Sequence, residues 1–250
     1  MQLSDNEARR VVPRCLSGAG WLAALWFAFV VPIGLAADAD GDGARTGDDA
    51  DPYAWRLDRS RKGIDIFTRS VEGSRFRAVR ATMVVDLPIE ALVALVRDTE
   101  ACPSWAHLCK SSRVVEETSE TDMLVYTLND IPWPVSDRDA VARVEWRRDA
   151  DTGRVVMTAT AVPSPVEGPS GAVRLTNAVT EWRFLPLADG RVAVESEAHV
   201  DPGGPMPAWL INRMLLDAPY KTLTNMREIL SDGRYQGARF DFMTDDVSVP

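Results

Sequence analysis

Asp201-Pro202-Gly203-Gly204-Pro205 stops one kind of structure, and Met206 to Leu230 begins another. After the break, apolar residues recur at helical spacing: Ile211, Leu215, Leu216, Tyr220, Leu223, Met226, Ile229 and Leu230. Pro219 falls inside this run and predicts a bend or a split there. Upstream of the break the pattern changes. Ser112–Glu117, Met123–Asn129, Ala140–Arg147, Arg154–Ala161, Ala172–Leu185 and Arg191–Val200 read as strands, with Asp149-Ala150-Asp151-Thr152-Gly153 and Ala188-Asp189-Gly190 as turns. Strands joined by connections this short pair antiparallel.

Further upstream, Ile64–Arg69 and Phe76–Asp86 read as two strands joined at Glu72-Gly73-Ser74. Pro88 then opens a helix over Ile89–Asp98, and Glu100–Trp105 is a turn or a short helix. Trp55–Lys62 is short and charged, a leading turn or helix. The order is strands, helix, strands, long terminal helix. That order predicts an α+β class in which a curved antiparallel sheet wraps around the C-terminal helix. One helix cannot fill the concavity of such a sheet, so a cavity lined by alternating strand residues is expected beneath it.

The flanks read differently. Arg9, Arg10 and Arg14 precede an apolar run from Leu16 to Leu35, which ends in Gly34-Leu35-Ala36-Ala37. This is the pattern of an export leader over residues 1–36, cleaved after Ala36 or Ala37. An uncleaved membrane anchor is the lesser reading of the same run. Residues 37–54 are rich in Asp and Gly and form an acidic, disordered linker. Residues 55–232 form one domain, and 233–250 a loose polar tail with a few aromatics.

The chain carries 37 acidic against 28 basic residues, a formal charge of −9. No basic footprint for nucleic acid is present. Cys102 and Cys109 lie in the exported part, where a bridge and a pair of buried thiols both fit. Cys102, His107 and Cys109 are an incomplete zinc set. The Asp/Gly run at 38–43 lacks the closing bidentate Glu of a calcium loop. No nucleophile elbow or phosphate loop is present, and no cofactor is expected.

Two segments carry a family resemblance. Ile131-Pro132-Trp133-Pro134-Val135-Ser136-Asp137-Arg138-Asp139 resembles the "P-x-P-v-x-x-R-D" segment of START domains. Asp201-Pro202-Gly203-Gly204-Pro205-Met206-Pro207-Ala208-Trp209-Leu210-Ile211-Asn212 resembles their lead into the C-terminal helix. Trp105, Val173-Arg174 and Glu181-Trp182-Arg183-Phe184-Leu185-Pro186 fit further family positions, in the right order, across about residues 55–232.

The resemblance implies a helix-grip fold and a tunnel for a sterol, phospholipid, fatty acid or other apolar ligand. Together with the leader over residues 1–36, it implies an exported, periplasmic or secreted, non-enzymatic lipid binder of the bacterial kind. Such a protein makes transient membrane contact, and nothing demands more than a monomer. A cyclase or hydrolase using the same cavity, or a non-catalytic envelope partner module, is the alternative. Ligand-lining candidates on the terminal helix and its lead-in are Met206, Trp209, Leu210, Arg213, Met214, Asp217 and Tyr220. From sheet and loops come Trp105, Tyr126, Leu128, Trp133, Trp146 and Trp182. Arg138 with Asp139 is expected to act mainly as a structural pair where strands diverge, and Arg138 also to face the ligand. Arg213 and Asp217 are spaced to pair on one helix face. Pro163–Gly171 and Asp201–Pro207 are the candidate gates.

Overall fold

The computed structural model describes residues 51–244. The expected leader, all of the acidic linker before residue 51, and residues 245–250 lie outside the described part.

The strands are β1 (Arg56–Arg61), β2 (Ile64–Val71), β3 (Ser74–Val85), β4 (Cys109–Ser119), β5 (Asp122–Asn129), β6 (Arg138–Arg148), β7 (Val155–Ala161), β8 (Val173–Arg174), β9 (Ala178–Pro186) and β10 (Val192–Val200). The helices are α1 (Ile89–Arg97), α2 (Cys102–Trp105) and α3 (Ala208–Leu230). The described strands form one curved sheet in the order β1-β2-β3-β10-β9-β7-β6-β5-β4, and β8 joins β6 from the side. Every pairing on that path is antiparallel, and β8 alone runs parallel to its partner.

Three expectations need correction. The segment after Trp55 is a strand, β1, paired to β2 across a tight Lys62-Gly63 turn in which both residues have positive φ. All of its side chains but Leu57 are polar, as suits an edge strand, so it shows no hydrophobic period, and its charges protect the edge. The stretch 172–185 is two strands, β8 and β9. Here the chain leaves β6 and returns beside β7. The tail is packed as far as it is described. Tyr235, Phe240 and Phe242 lie against the core, Tyr235 donates to Asp98 at 2.8 Å, and Glu120 accepts from the amides of Asp241 and Phe242. A few aromatic anchors were enough to hold a polar segment.

The solid core sits at one end of the sheet. There α1 (Leu92, Val93, Leu95) meets Ile64, Met83, Val155, Phe184 and Val194. The C-terminal half of α3 closes it with Leu223, Met226 and Leu230, which have essentially no exposure. Pro219 is accommodated within one continuous helix and does not split it. A second, small cluster of Tyr126, Leu128 and Val141 lies on the outer face of the sheet, covered by Val162, Val166 and Ala172.

Candidate functional site

Alternate residues of each strand face the concave side, and they become smaller along the strands. β6 sends inward Trp146, Val144, Ala142, Ala140 and then Arg138; β7 sends Met157, Ala159 and Ala161; β9 sends Trp182, Thr180 and Ala178. Cross-strand pairs Trp146↔Met157 and Met157↔Trp182 align the bulky ends, and Val144↔Ala159 and Ala159↔Thr180 align the smaller ones. Bulky side chains meet the core, and the alanines leave space. That space is a cavity of about 1400 Å³. Drug-sized ligands occupy roughly 300–1,000 Å³, so this volume suits a larger, lipid-sized molecule.

The roof is α3. Ile211, Met214, Leu215, Ala218 and Thr222 face the cavity from its N-terminal and middle turns, one stripe at helical spacing. Trp105 and Trp182 meet edge to face at 5.7 Å. The indole N–H groups of Trp105 and Trp146 are buried with no acceptor among the described residues. Cys102 and Cys109, both in the wall, are disulfide-bonded and hold the α2–β4 connection. That connection is also tied to α3: the His107 amide donates to Thr222 at 3.0 Å, and Asn225 donates to the Trp105 carbonyl at 3.2 Å. Burial, followed by the nearby Lys221 charge, holds the His107 ring below its ordinary pKa.

Arg138 fastens the other end. Its Nε donates to the carbonyl of Pro202 at 3.0 Å, Nη1 to Ser136 at 2.6 Å and Nη2 to Gly203 at 2.9 Å. It thereby stitches the β5–β6 loop to the lead-in of α3. Gly203 and Gly204 both have positive φ, which bends the backbone so that such contacts are made. Desolvation lowers the pKa of the Arg138 guanidinium. Asp139 does not pair with Arg138. Adjacent strand residues point to opposite faces, and Asp139 is gripped from the outer side by Arg174, with two contacts of 2.9 Å. Burial first, and then the Asp139 carboxylate, raise the pKa of the neighbouring Tyr126.

Of the residues singled out from sequence, Trp105, Arg138, Trp146, Trp182, Met206 and Met214 line the cavity. Tyr126 and Leu128 do not. They belong to the outer cluster, and their neighbours Val125 and Thr127 face inward instead. Trp133 is 90% exposed and Trp209 58% exposed, on the outside of segments whose neighbours line the cavity. Leu210 is buried away from the cavity. Asp217 turns to the β1 side, accepting from Arg59 at 2.8 Å, and Arg213 pairs with it at 3.4 Å as the spacing predicted. Tyr220 stacks beneath Arg59 and Arg61, at 5.8 and 5.7 Å. Of the two candidate gates, Pro202 and Gly204–Pro207 line the cavity; the loop 163–171 covers the outer face. The alanines of β6, β7 and β9 were missed. Their signal was present as strands whose alternate residues shrink in one direction.

The family model for the START domain matches residues 48–232. The chain belongs to the START domain family. This START domain is 31% identical over 173 residues to an uncharacterized protein of Pseudomonas aeruginosa, covering 69% of this chain and 85% of that one. Among solved structures it is similar to the STAR-related lipid transfer protein of Xanthomonas axonopodis (fragment 25–204). The TM-score is 0.65 and the identity 32%, over 71% of this chain and 98% of that one. The human StAR-related lipid transfer protein 5 shares the fold at a TM-score of 0.67 and 19% identity, over 74% and 90% of the two chains. The two segments that carried the resemblance in the sequence are the two that Arg138 joins.

Proposed function

We propose that this START domain is a lipid carrier of the cell envelope. It holds one lipid-like molecule beneath α3, exchanges it in transient contact with a membrane, and catalyses no reaction. The observation that carries this reading is the alanine-paved hollow of about 1400 Å³. Burying a few hundred Å² of hydrocarbon there, at about 25 cal/mol per Å², yields several kcal/mol before the cost of association.

The relative from Xanthomonas axonopodis bears the name of a lipid transfer protein, which supports the same reading. The leader-like residues 1–36 support export. The exposed Trp133 and Trp209 flank the Arg138 end of the cavity, and indoles favour the membrane–water boundary. Lipid is therefore taken up and released at that end.

Native mass spectrometry of the full chain from its own host tests the proposal. The expected result is one extractable lipid per chain. Protein that is always empty, and that also takes nothing from lipid vesicles, would overturn it.

A further inference from the structure

The charge of the cavity wall is opposite to that of the molecule. The chain carries a net −9, yet its cavity is lined by Arg75, Arg77, Arg97 and Arg138 against a single carboxylate, Asp98. Arg97 and Asp98 are accounted for at the aromatic end. Arg97 pairs with Glu117 at 3.3 Å and donates to the Glu120 carbonyl, and Asp98 accepts from Tyr235. The other three arginines belong to the opposite end. Arg75 and Arg77 continue the inward row of β3 beyond Val79. Val79 faces Ala198, so the register carries Arg77 towards Val200 and the lead-in of α3, where Arg138 is bound.

None of these three has an acidic partner among the described residues. The outer face of the same strands provides an internal comparison, because there Arg69, Arg80 and Arg183 share Glu195 and Glu197. Arg138 is 3% exposed, and its three backbone carbonyls satisfy hydrogen bonds without cancelling its charge. A guanidinium has five N–H donors, so donors remain beyond those three. Buried charge is costly unless it is paired, which applies to Arg138; Arg77 is half-buried, and Arg75 is exposed at the rim with its guanidinium over the Phe76 ring at 4.7 Å.

We infer that the ligand is an anionic amphiphile, with its carboxylate or phosphate at the Arg75–Arg77–Arg138 end and its hydrocarbon running over the alanines towards Trp146 and Trp182. This rests on the carrier reading and adds the class of lipid to it. The net negative charge of the protein does not favour anions at large, so the selection belongs to the cavity.

Loading experiments with matched pairs test it. Full-length protein is offered dioleoyl phosphatidate with dioleoylglycerol, and separately oleate with methyl oleate, and bound lipid is counted by native mass spectrometry. Within each pair the chains are the same and only the acid differs, so the two pairs also separate phosphate from carboxylate. At least one acid is expected to exceed its neutral partner by about ten-fold or more. In Arg77→Gln and Arg75→Gln that ratio falls towards parity, while loading of the neutral partner is unchanged. Arg138→Gln would free three buried carbonyls and endanger the fold, so it is not the decisive variant. Equal loading of acid and neutral partners overturns the inference and leaves the carrier reading standing. A preference that survives both substitutions overturns the assignment to this end. Failure of every lipid to load overturns both readings.

Discussion

At Ala142 the chain places a methyl group where its strand neighbour two positions on, Val144, is larger, and the next, Trp146, is larger still. The difference in volume is space for a ligand. Ala142→Trp is therefore expected to empty the site. Bound lipid should fall to a small fraction of wild type, while the melting temperature of the lipid-free protein holds or rises, because filling a void commonly adds about 0.5–2 kcal/mol. Unchanged lipid loading in a folded variant would contradict the placement of the cavity. Tyr126 and Leu128 show why such positions were only half legible. β5 is apolar on both faces, because the loop 162–172 covers its outer side. With no polar alternation to set the parity, the sequence offers two registers, and a slip of one residue exchanges every inward side chain for an outward one. Trp133 and Trp209 show the opposite limit. Size and apolarity say that an indole gains from burial, and they carry no information on whether the fold supplies a place for it.

α3 does two jobs along one helix. Its last turns plug the core with Leu223, Met226 and Leu230, and its first turns roof the cavity with Ile211, Met214 and Leu215. Between them, Asp217 fastens it to β1 through Arg59. The Arg59 hydrogen bond holds the Asp217 carboxyl below its ordinary pKa; burial opposes it, and the Arg59 and Arg213 charges reinforce it. A depressed carboxyl stabilises the fold above its unfolded pKa, and that contribution is lost as pH falls through the folded value. The stability difference between wild type and Asp217→Asn, followed by thermal unfolding, is expected to be full at neutral pH and to close as the pH falls through the lowered folded value of this carboxyl. A difference independent of pH would show that this contact does not titrate with folding. The helical period gave the extent of α3 well, because its apolar stripe is continuous. It could not tell the plug from the roof, since both ask for the same residue types.

For the whole molecule, an internal ligand is part of the stability. A ligand that binds only the folded state adds RT ln(1 + [L]/Kd), about 2.7 kcal/mol at a hundred-fold excess over Kd. Protein stripped of lipid is thus expected to melt at a lower temperature than protein as purified, and to recover when lipid is restored. Identical melting of stripped and loaded protein would argue that the cavity is not the binding site.

The order of strands and helices, the breaks at Gly and Pro, and the two segments resembling START domains determined the fold class from the sequence alone. Each of these is local: a period, a turn, a motif with fixed spacing. The cavity wall, the separate fates of Arg138 and Asp139, and the gathering of Arg75, Arg77 and Arg138 at one end were decided only in three dimensions. They depend on strand parity and on contacts between segments some sixty residues apart, such as Arg138 with Pro202 and Gly203. Local patterning says which faces are apolar, and only the curved sheet and its helix decide which apolar face is left unfilled.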